Sequence, residues 1–435
     1  MFTTINDEAV FNPERSGFSV GMASSFVDAS DAIGSDMVPF DVVNADGAIS
    51  AYGNDELVED VSVRVHSRRS VAVVPLLPQL DQPPVRIEVR LLSLPTHRAL
   101  GTAHDGAPAP NRELVVVGVE TVDGVTGWGE CSALNAPTYT AEWAADSFER
   151  LATWANGGDT PISAETPMAA AAVEMALTDA ILRSEGRSLA EALGTEGSVA
   201  AGATIGLGGV EESIRVAQIL VDDGFRKLKV KIDPSHVDDV AHELSHVLDG
   251  IELHVDANGS LGEEHLMTLL GLTWHGVTAI EQPFSVERPD LAAELMLGTD
   301  AVVVADEAAT SIASAALLLN QQALRAVAIK PPRLGGIAAA VEMATWCEVN
   351  SIGASIGGML ESGLGRHSLA AVAALGGFTV TGDLSPARQW LAADPWPDLE
   401  MRDGSIVVPN QPGVAPLPDL EVLEHFTVSR AGRSR

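Results

Sequence analysis

Five polar residues recur at nearly constant intervals through the middle of this chain. Lys231, Asp256, Glu281 and Asp306 stand 25 residues apart, and Lys330 follows after another 24. Each closes a short apolar run, in FRKLKVKI, IELHVDAN, VTAIEQPF, AVVVADEA and AVAIKPPR. With VAAGATIGL before them and GASIGGML and FTVTGDLS after, eight strand-like runs lie between about 198 and 385, separated by helical patterns. Eight βα units of roughly 25 residues are the repeat of a (β/α)8-type barrel. A doubly wound sheet is the alternative, but it more often has fewer units and a Gly-rich phosphate turn after its first strand. The α/β barrel is the better reading.

In such a barrel all five residues sit at the C-terminal ends of strands, where active sites are built. Neighbouring strands are about 4.8 Å apart, so Asp256, Glu281 and Asp306 are expected to fan around one point, with a lysine on each side. Any one of these acids alone reads as a helix cap or an arginine partner. Three in register repel one another unless a cation neutralises them. All-oxygen ligation favours a hard ion, and Mg²⁺, with Mn²⁺ as a substitute, leaves positions for substrate and water.

Lysine is scarce here, four residues against 22 arginines, and three of the four are Lys227, Lys229 and Lys231. Alternation sends these three to one face of a strand, while Leu228, Val230 and Ile232 suit the face that packs on helices. The lysines therefore point into the barrel, with Lys231 near its mouth. Crowding against Lys229 is expected to lower the pKa of Lys231 towards that of a base. Lys330, opposite, serves as a cation near the metal. Together these parts suit removal of a proton next to a carboxylate, because Mg²⁺ on the carboxylate stabilises the enediolate that forms. The substrate expected is a small-molecule carboxylate.

The rest of the chain divides around this core. Residues 1–84 carry 13 acids and four arginines, lack sustained periodicity and end in the Pro-rich LPQLDQPP. They read as an acidic, flexible extension, with a short strand at VSVRV or VAVV. Residues 85–195 read as an α+β capping domain: VRIEVRLLSL, a hairpin turning at Asp123-Gly124, then the helices AEWAADSFERLATWA and TPMAAAAVEMALTDAILRSEG. The barrel follows over 196–390. Residues 391–435, including the hairpin LEMRDGSIVVP, return to the capping domain.

Net charge narrows the partners. At −34 the surface repels nucleic acid and anionic membrane. No run approaches the roughly 20 apolar residues of a membrane span. MFTTINDEAVFNPERS lacks the pattern of a secretion signal, and two distant cysteines, Cys131 and Cys347, form no metal or redox spacing. A reduced, cytoplasmic protein is expected, and a homo-oligomer is compatible with this sequence.

These motifs, taken in order, carry a family resemblance. Lys229-Val230-Lys231, Asp256-Ala257-Asn258, Glu281-Gln282-Pro283, Asp306-Glu307 and Lys330-Pro331-Pro332-Arg333-Leu334-Gly335-Gly336 resemble the muconate-lactonizing branch of the enolase superfamily, over roughly 85–425. SIGGMLESGLGR, FTVTGDLSPARQW, PNQPGV and GECSALNAPTYTAEW look more narrowly like the o-succinylbenzoate synthase family, in the group that includes N-succinylamino acid racemases. Dipeptide epimerases usually carry Asp-x-Asp on the last strand, whereas this one reads Gly382-Asp383-Leu384-Ser385. Ala308, where a serine is frequent, and Pro332, where a smaller residue is common, depart from the pattern without removing a ligand or base.

The resemblance implies that Lys231 removes the α-proton of a succinyl-hydroxycyclohexadiene carboxylate. Its ammonium then protonates the departing hydroxyl, a syn dehydration that feeds menaquinone synthesis. It further implies that Lys330 stabilises the enediolate and that Asp256, Glu281 and Asp306 ligate Mg²⁺, supported by Lys229, Asn258 and Glu307. Gly357, Gly358 and Met359 would shape the pocket for the succinyl arm. The loop LPTHRALGTAHDGAPAPNRE is expected to close over the site, with Arg98 contacting a substrate carboxylate. Racemisation of N-succinylamino acids uses the same lysines and metal. A metal-binding scaffold without turnover is the non-enzymatic alternative.

Overall fold

The computed structural model describes short strand segments between residues 2 and 57, then residues 80, 82–97, 110–158, 166–237, 239, 243–244 and 250–434. Contacts divide the chain into two units, Met1–Leu76 and Leu77–Arg435. Among the described residues of the first there are three antiparallel pairs: Phe2–Ile5 with Glu8–Phe11, Val42–Val43 with Ile49–Ser50, and Tyr52–Gly53 with Glu56–Leu57. The strand candidates VSVRV and VAVV lie outside the described residues.

The second unit begins with a four-stranded antiparallel sheet in the spatial order Thr427–Ser434, Arg86–Pro95, Asn111–Glu120, Thr126–Cys131. Against it pack the helices Ala144–Ala155 and Pro167–Glu185. Small residues decide how closely. A Cβ on Gly129 would stand 2.0 Å from the Ala172 carbonyl oxygen, and one on Gly127 2.3 Å from that of Ala176. The GWGE glycines and the alanines at 172, 176 and 180, spaced one helical turn apart, thus let strand and helix backbones touch.

The barrel follows as one parallel sheet of seven strands in sequence order: Gly202–Ile205, Lys227–Lys231, Glu252–Asp256, Val277–Glu281, Val302–Ala305, Ala326–Ile329 and Gly353–Ile356. Helices connect them, among them Val210–Asp222, Leu266–Trp274, Pro289–Gly298, Ile312–Asn320 and Ile337–Val349. The eighth run, FTVTGDLS, is not a regular strand. It nevertheless bridges both sheet edges: Val380 N donates to Ala354 O at 3.1 Å, Asp383 N to Ile356 O at 2.9 Å, and Gly202 N to Leu384 O at 3.0 Å. Two glycines make the closure possible, since a Cβ on Gly382 would meet Ile356 O at 2.3 Å and one on Gly202 would meet Gly382 O at 2.0 Å.

Two sequence expectations change in detail. VAAGATIGL is two strands, because Ser198–Ala200 leaves the barrel to pair with Ser405–Val407. The hairpin Met401–Arg402/Ser405–Val407 therefore joins the barrel's entry, and Thr427–Ser434 is the segment that returns to the capping sheet. Among the described residues no helix is long and apolar enough to cross a membrane.

Candidate active site

Parallel pairing brings the polar residues to the same end of the sheet. Lys231 lies opposite Asp256 on the next strand, and Asp256 lies opposite Glu281. Asp306 follows the strand ending at Ala305, and Lys330 follows the one ending at Ile329. In an eight-membered barrel the second and sixth strands face each other, so Lys231 and Lys330 approach from opposite sides.

Each carboxylate is held by cations. Lys231 Nζ donates to Asp256 Oδ2 at 2.7 Å and to Asn258 Oδ1 at 2.6 Å. Lys229 Nζ stands 2.7 Å from Glu281 Oε1 and 3.1 Å from Asp256 Oδ2, and it also pairs with Asp383. Lys330 Nζ is 2.6 Å from Asp306 Oδ2, and Arg333 Nη1 is 2.6 Å from Asp306 Oδ1. Asn258 Nδ2 donates to Glu307 Oε1 at 2.8 Å. The site residues named from the sequence on strands two to six therefore form two neighbouring networks, one around Lys229 and Lys231 and one joining Lys330 to Asp306.

Burial alone would favour neutral carboxyls here. At Asp256 burial is outweighed by Lys231 and Lys229, which hold it below the usual carboxylate range. At Asp306 burial is outweighed by Arg333 and Lys330 in the same way. Glu281 differs: burial, with Asp256, Asp383 and Asp306 close by, overcomes Lys229 and pushes it up to about 8. Burial also opposes the charge on Lys229, yet Asp383, Glu281 and Asp256 together raise its pKa well above that of a free lysine.

Three further residues complete the centre. Tyr139, from the capping-domain loop before Ala144, accepts from Lys330 Nζ at 2.8 Å and from Arg333 and donates to Asp306 Oδ2 at 3.1 Å. The Lys330 ammonium also lies 4.7 Å from the Tyr139 ring centroid, within cation–π range. Gln282, in a left-handed conformation, accepts from the Asp306 and Ala308 backbone amides at 3.0 and 3.1 Å and so fixes the start of the Asp306 loop. Asp383 bonds Lys227 at 2.7 Å. The spacing marked none of these, because Tyr139 comes from another domain and the Gln282 side chain binds backbone amides of the next strand's loop. Tyr139, Gln282, Arg333 and Asp383 all stood inside quoted motifs, but their contacts exist only in the folded protein.

The remaining sequence candidates are dispersed. Gly357 lies against Lys330, since a Cβ there would come within 2.8 Å of Lys330 Cε and Cγ. Gly358 lies against the Arg366 guanidinium. Met359 packs into the apolar core of the capping sheet, and its carbonyl accepts from Arg112 at 3.1 Å. Arg98 and loop residues 98–109 lie outside the described residues; His97 is tied by its amide to Trp390 O at 2.8 Å.

Among the described residues no three acidic, His or Cys side chains converge as a ready-made metal cage. The donor set nonetheless fits a hard divalent cation. Three buried carboxylates stand at the ends of adjacent strands, lysine ammonium groups meet their charge, and Glu307 Oε2 is buried without a hydrogen-bond partner.

Comparison with known proteins agrees with this architecture. Residues 212–421 match the family described as enolase C-terminal domain-like. An o-succinylbenzoate synthase of Bacillus subtilis is 30% identical over 70% of this chain and 86% of its own length. An N-succinylamino acid racemase of Amycolatopsis is 31% identical over 73% of this chain and 91% of its own. The crystal structure of an enolase-superfamily member from Listeria innocua superposes with a TM-score of 0.72 at 28% identity, covering 80% of this chain and 98% of that one. The muconate lactonizing enzyme of Pseudomonas putida, at 24% identity and a TM-score of 0.70 over 80% of this chain and 100% of its own, shares the fold. The chain belongs to the enolase superfamily, an enzyme superfamily. Its relatives include both o-succinylbenzoate synthases and N-succinylamino acid racemases.

Proposed function

We propose that this enzyme is an o-succinylbenzoate synthase, which dehydrates 2-succinyl-6-hydroxy-2,4-cyclohexadiene-1-carboxylate to 2-succinylbenzoate. The observation that carries the reading is the pair Lys231 and Lys330, on barrel strands four apart, flanking Asp256, Glu281 and Asp306 at the mouth. A divalent cation held by those three carboxylates, Mg²⁺ or Mn²⁺, would supply the positive charge that makes a carboxylate's α-proton removable. Lys231 takes that proton at Nζ and returns it to the departing hydroxyl on the same face, so water leaves and the ring becomes aromatic. Lys330 stays protonated, held by Asp306 and Tyr139, and faces the negative charge that develops on the carboxylate oxygens. Asn258 and Asp256 orient Lys231 between turnovers.

The geometry gives a second reading equal footing on one point. Two lysines on opposite sides of a substrate are what racemisation of N-succinylamino acids needs, one to remove the proton and one to return it. The dehydratase is favoured by the motifs of strands seven and eight and by relatives of that name. Purified protein with Mg²⁺, offered the cyclohexadiene acid and separately both enantiomers of N-succinyl amino acids, decides between them. Appearance of the aromatic chromophore supports the synthase. Racemisation without it supports the rival, and inertness towards both leaves neither standing.

A further inference from the structure

We propose that Asp383 is a positioning residue that sets the affinity of the carboxylate cluster for a divalent cation, acting through Lys229. The proposal rests on the reading that Asp256, Glu281 and Asp306 hold such a cation. Asp383 stands on the irregular eighth segment. That segment is held in place by backbone: Asp383 N donates to Ile356 O, Gly202 N donates to Leu384 O, and Asp383 O accepts from Arg366 Nη1 at 2.9 Å. The Asp383 carboxylate contributes to none of these bonds. Its oxygens go to Lys227 Nζ, at 2.7 Å, and to Lys229 Nζ.

Lys229 is the point of leverage. Its single ammonium is shared by Asp383, by Glu281 at 2.7 Å and by Asp256 at 3.1 Å, and its side chain is only 4% exposed. In so dry an interior the ammonium's field is poorly screened, and its three N–H donors are divided among its neighbours. With Asp383 in place, part of that charge is drawn below the cluster, away from Glu281 and Asp256. Without it, the whole ammonium falls on those two acids and competes with any cation they bind. Lys227 is also bonded to Asp383, but its ammonium is anchored to the backbone at Gly382 O, 3.1 Å away, and contacts neither Glu281 nor Asp256.

Mn²⁺ binding to the purified full chain, followed by isothermal titration calorimetry, tests this with Asp383→Asn, Lys229→Gln and the double variant. Asp383→Asn is expected to weaken Mn²⁺ binding by about tenfold, because it removes a buried negative charge that acts on the cluster through Lys229 without touching a ligand. In the Lys229→Gln background the same change should alter affinity by no more than about twofold. Wild-type affinity in Asp383→Asn, or the same loss in both backgrounds, overturns the proposal. Should Asp383→Asn not fold, Lys229→Gln alone decides: it should bind Mn²⁺ at least as tightly as wild type, and a tenfold loss refutes the idea. Failure of the wild-type protein to bind Mn²⁺ instead removes the metal reading itself, and this proposal with it.

Discussion

At the scale of single residues, the chemistry divides between two lysines that the barrel holds apart. Lys231→Ala removes the proposed base, together with the donor that Asp256 Oδ2 and Asn258 Oδ1 share. Dehydration should fall by at least about 10²–10⁴, the usual cost of losing a general base, while Mn²⁺ binding persists. Turnover near the wild-type rate would remove Lys231 from that role. Glu281→Gln takes away a carboxylate that would ligate the cation and should weaken Mn²⁺ binding. Exhaustive chelation should abolish activity, and added Mg²⁺ or Mn²⁺ should restore it. Activity that survives chelation would mean that the acids serve another purpose. The register Lys231, Asp256, Glu281, Asp306 and Lys330 was legible because one strand-to-strand repeat translates every unit by nearly the same number of residues. Tyr139 was not legible, since its approach to Lys330 depends on how another domain docks.

At the scale of elements, the capping helix Pro167–Glu185 does more than pack on its sheet. Its Glu174 accepts from the amides of Ile337 and Ala338 at 2.6 and 2.8 Å, and so caps the barrel helix Ile337–Val349 from another domain. The carboxylate fits because the preceding Gly336 has φ 138° and no side chain; a Cβ there would stand 1.9 Å from Glu174 Oε2. Burial pushes Glu174 up to about 7, against 4.5 for a free glutamate. The folded state therefore holds this proton where the unfolded chain has lost it. Stability contributed by the group is present at low pH, declines as pH rises from about 4.5 to 7, and is flat above; the total is at most about 3 kcal/mol. Glu174→Gln should lower the thermal midpoint somewhat at every pH and flatten its decline between pH 5 and 7.5. Parallel curves for the two proteins would show that Glu174 does not titrate in that window. The Gly335-Gly336 pair was visible in the sequence as part of a family motif, but its partner, 162 residues upstream of Gly336, was not.

For the molecule as a whole, the network from Lys227 to Asp383 lies within the unit Leu77–Arg435. The first strand of the capping sheet begins at Arg86, after the Pro-rich joint. A protein starting near Pro83 should therefore fold and keep most of the proposed dehydratase activity. Insoluble product would show that the first segment is needed for folding, and soluble but inactive product would give it a part in the site. The opposite end is less dispensable. Thr427–Ser434 pairs along Arg86–Pro95, so deleting it uncovers the edge of the capping sheet and should reduce solubility and thermal stability.

Local sequence by itself determined the repeating βα units, the inward face of FRKLKVKI and the carboxylate register. All three follow from strand alternation and a constant repeat length, which act within a few residues or one unit. The sequence also pointed to a capping domain of strands and two helices. Only the tertiary structure decided that the eighth barrel segment is held by backbone bonds without becoming a regular strand, that Ser198–Ala200 leaves the barrel, and that Thr427–Ser434 completes the capping sheet. It alone brought Tyr139 to Lys330, Glu174 to Ile337 and Asp383 to Lys229. Those contacts join residues 154 to 191 positions apart, and a charge so distant in the chain acquires a partner only when the barrel closes and excludes the water that would otherwise screen it.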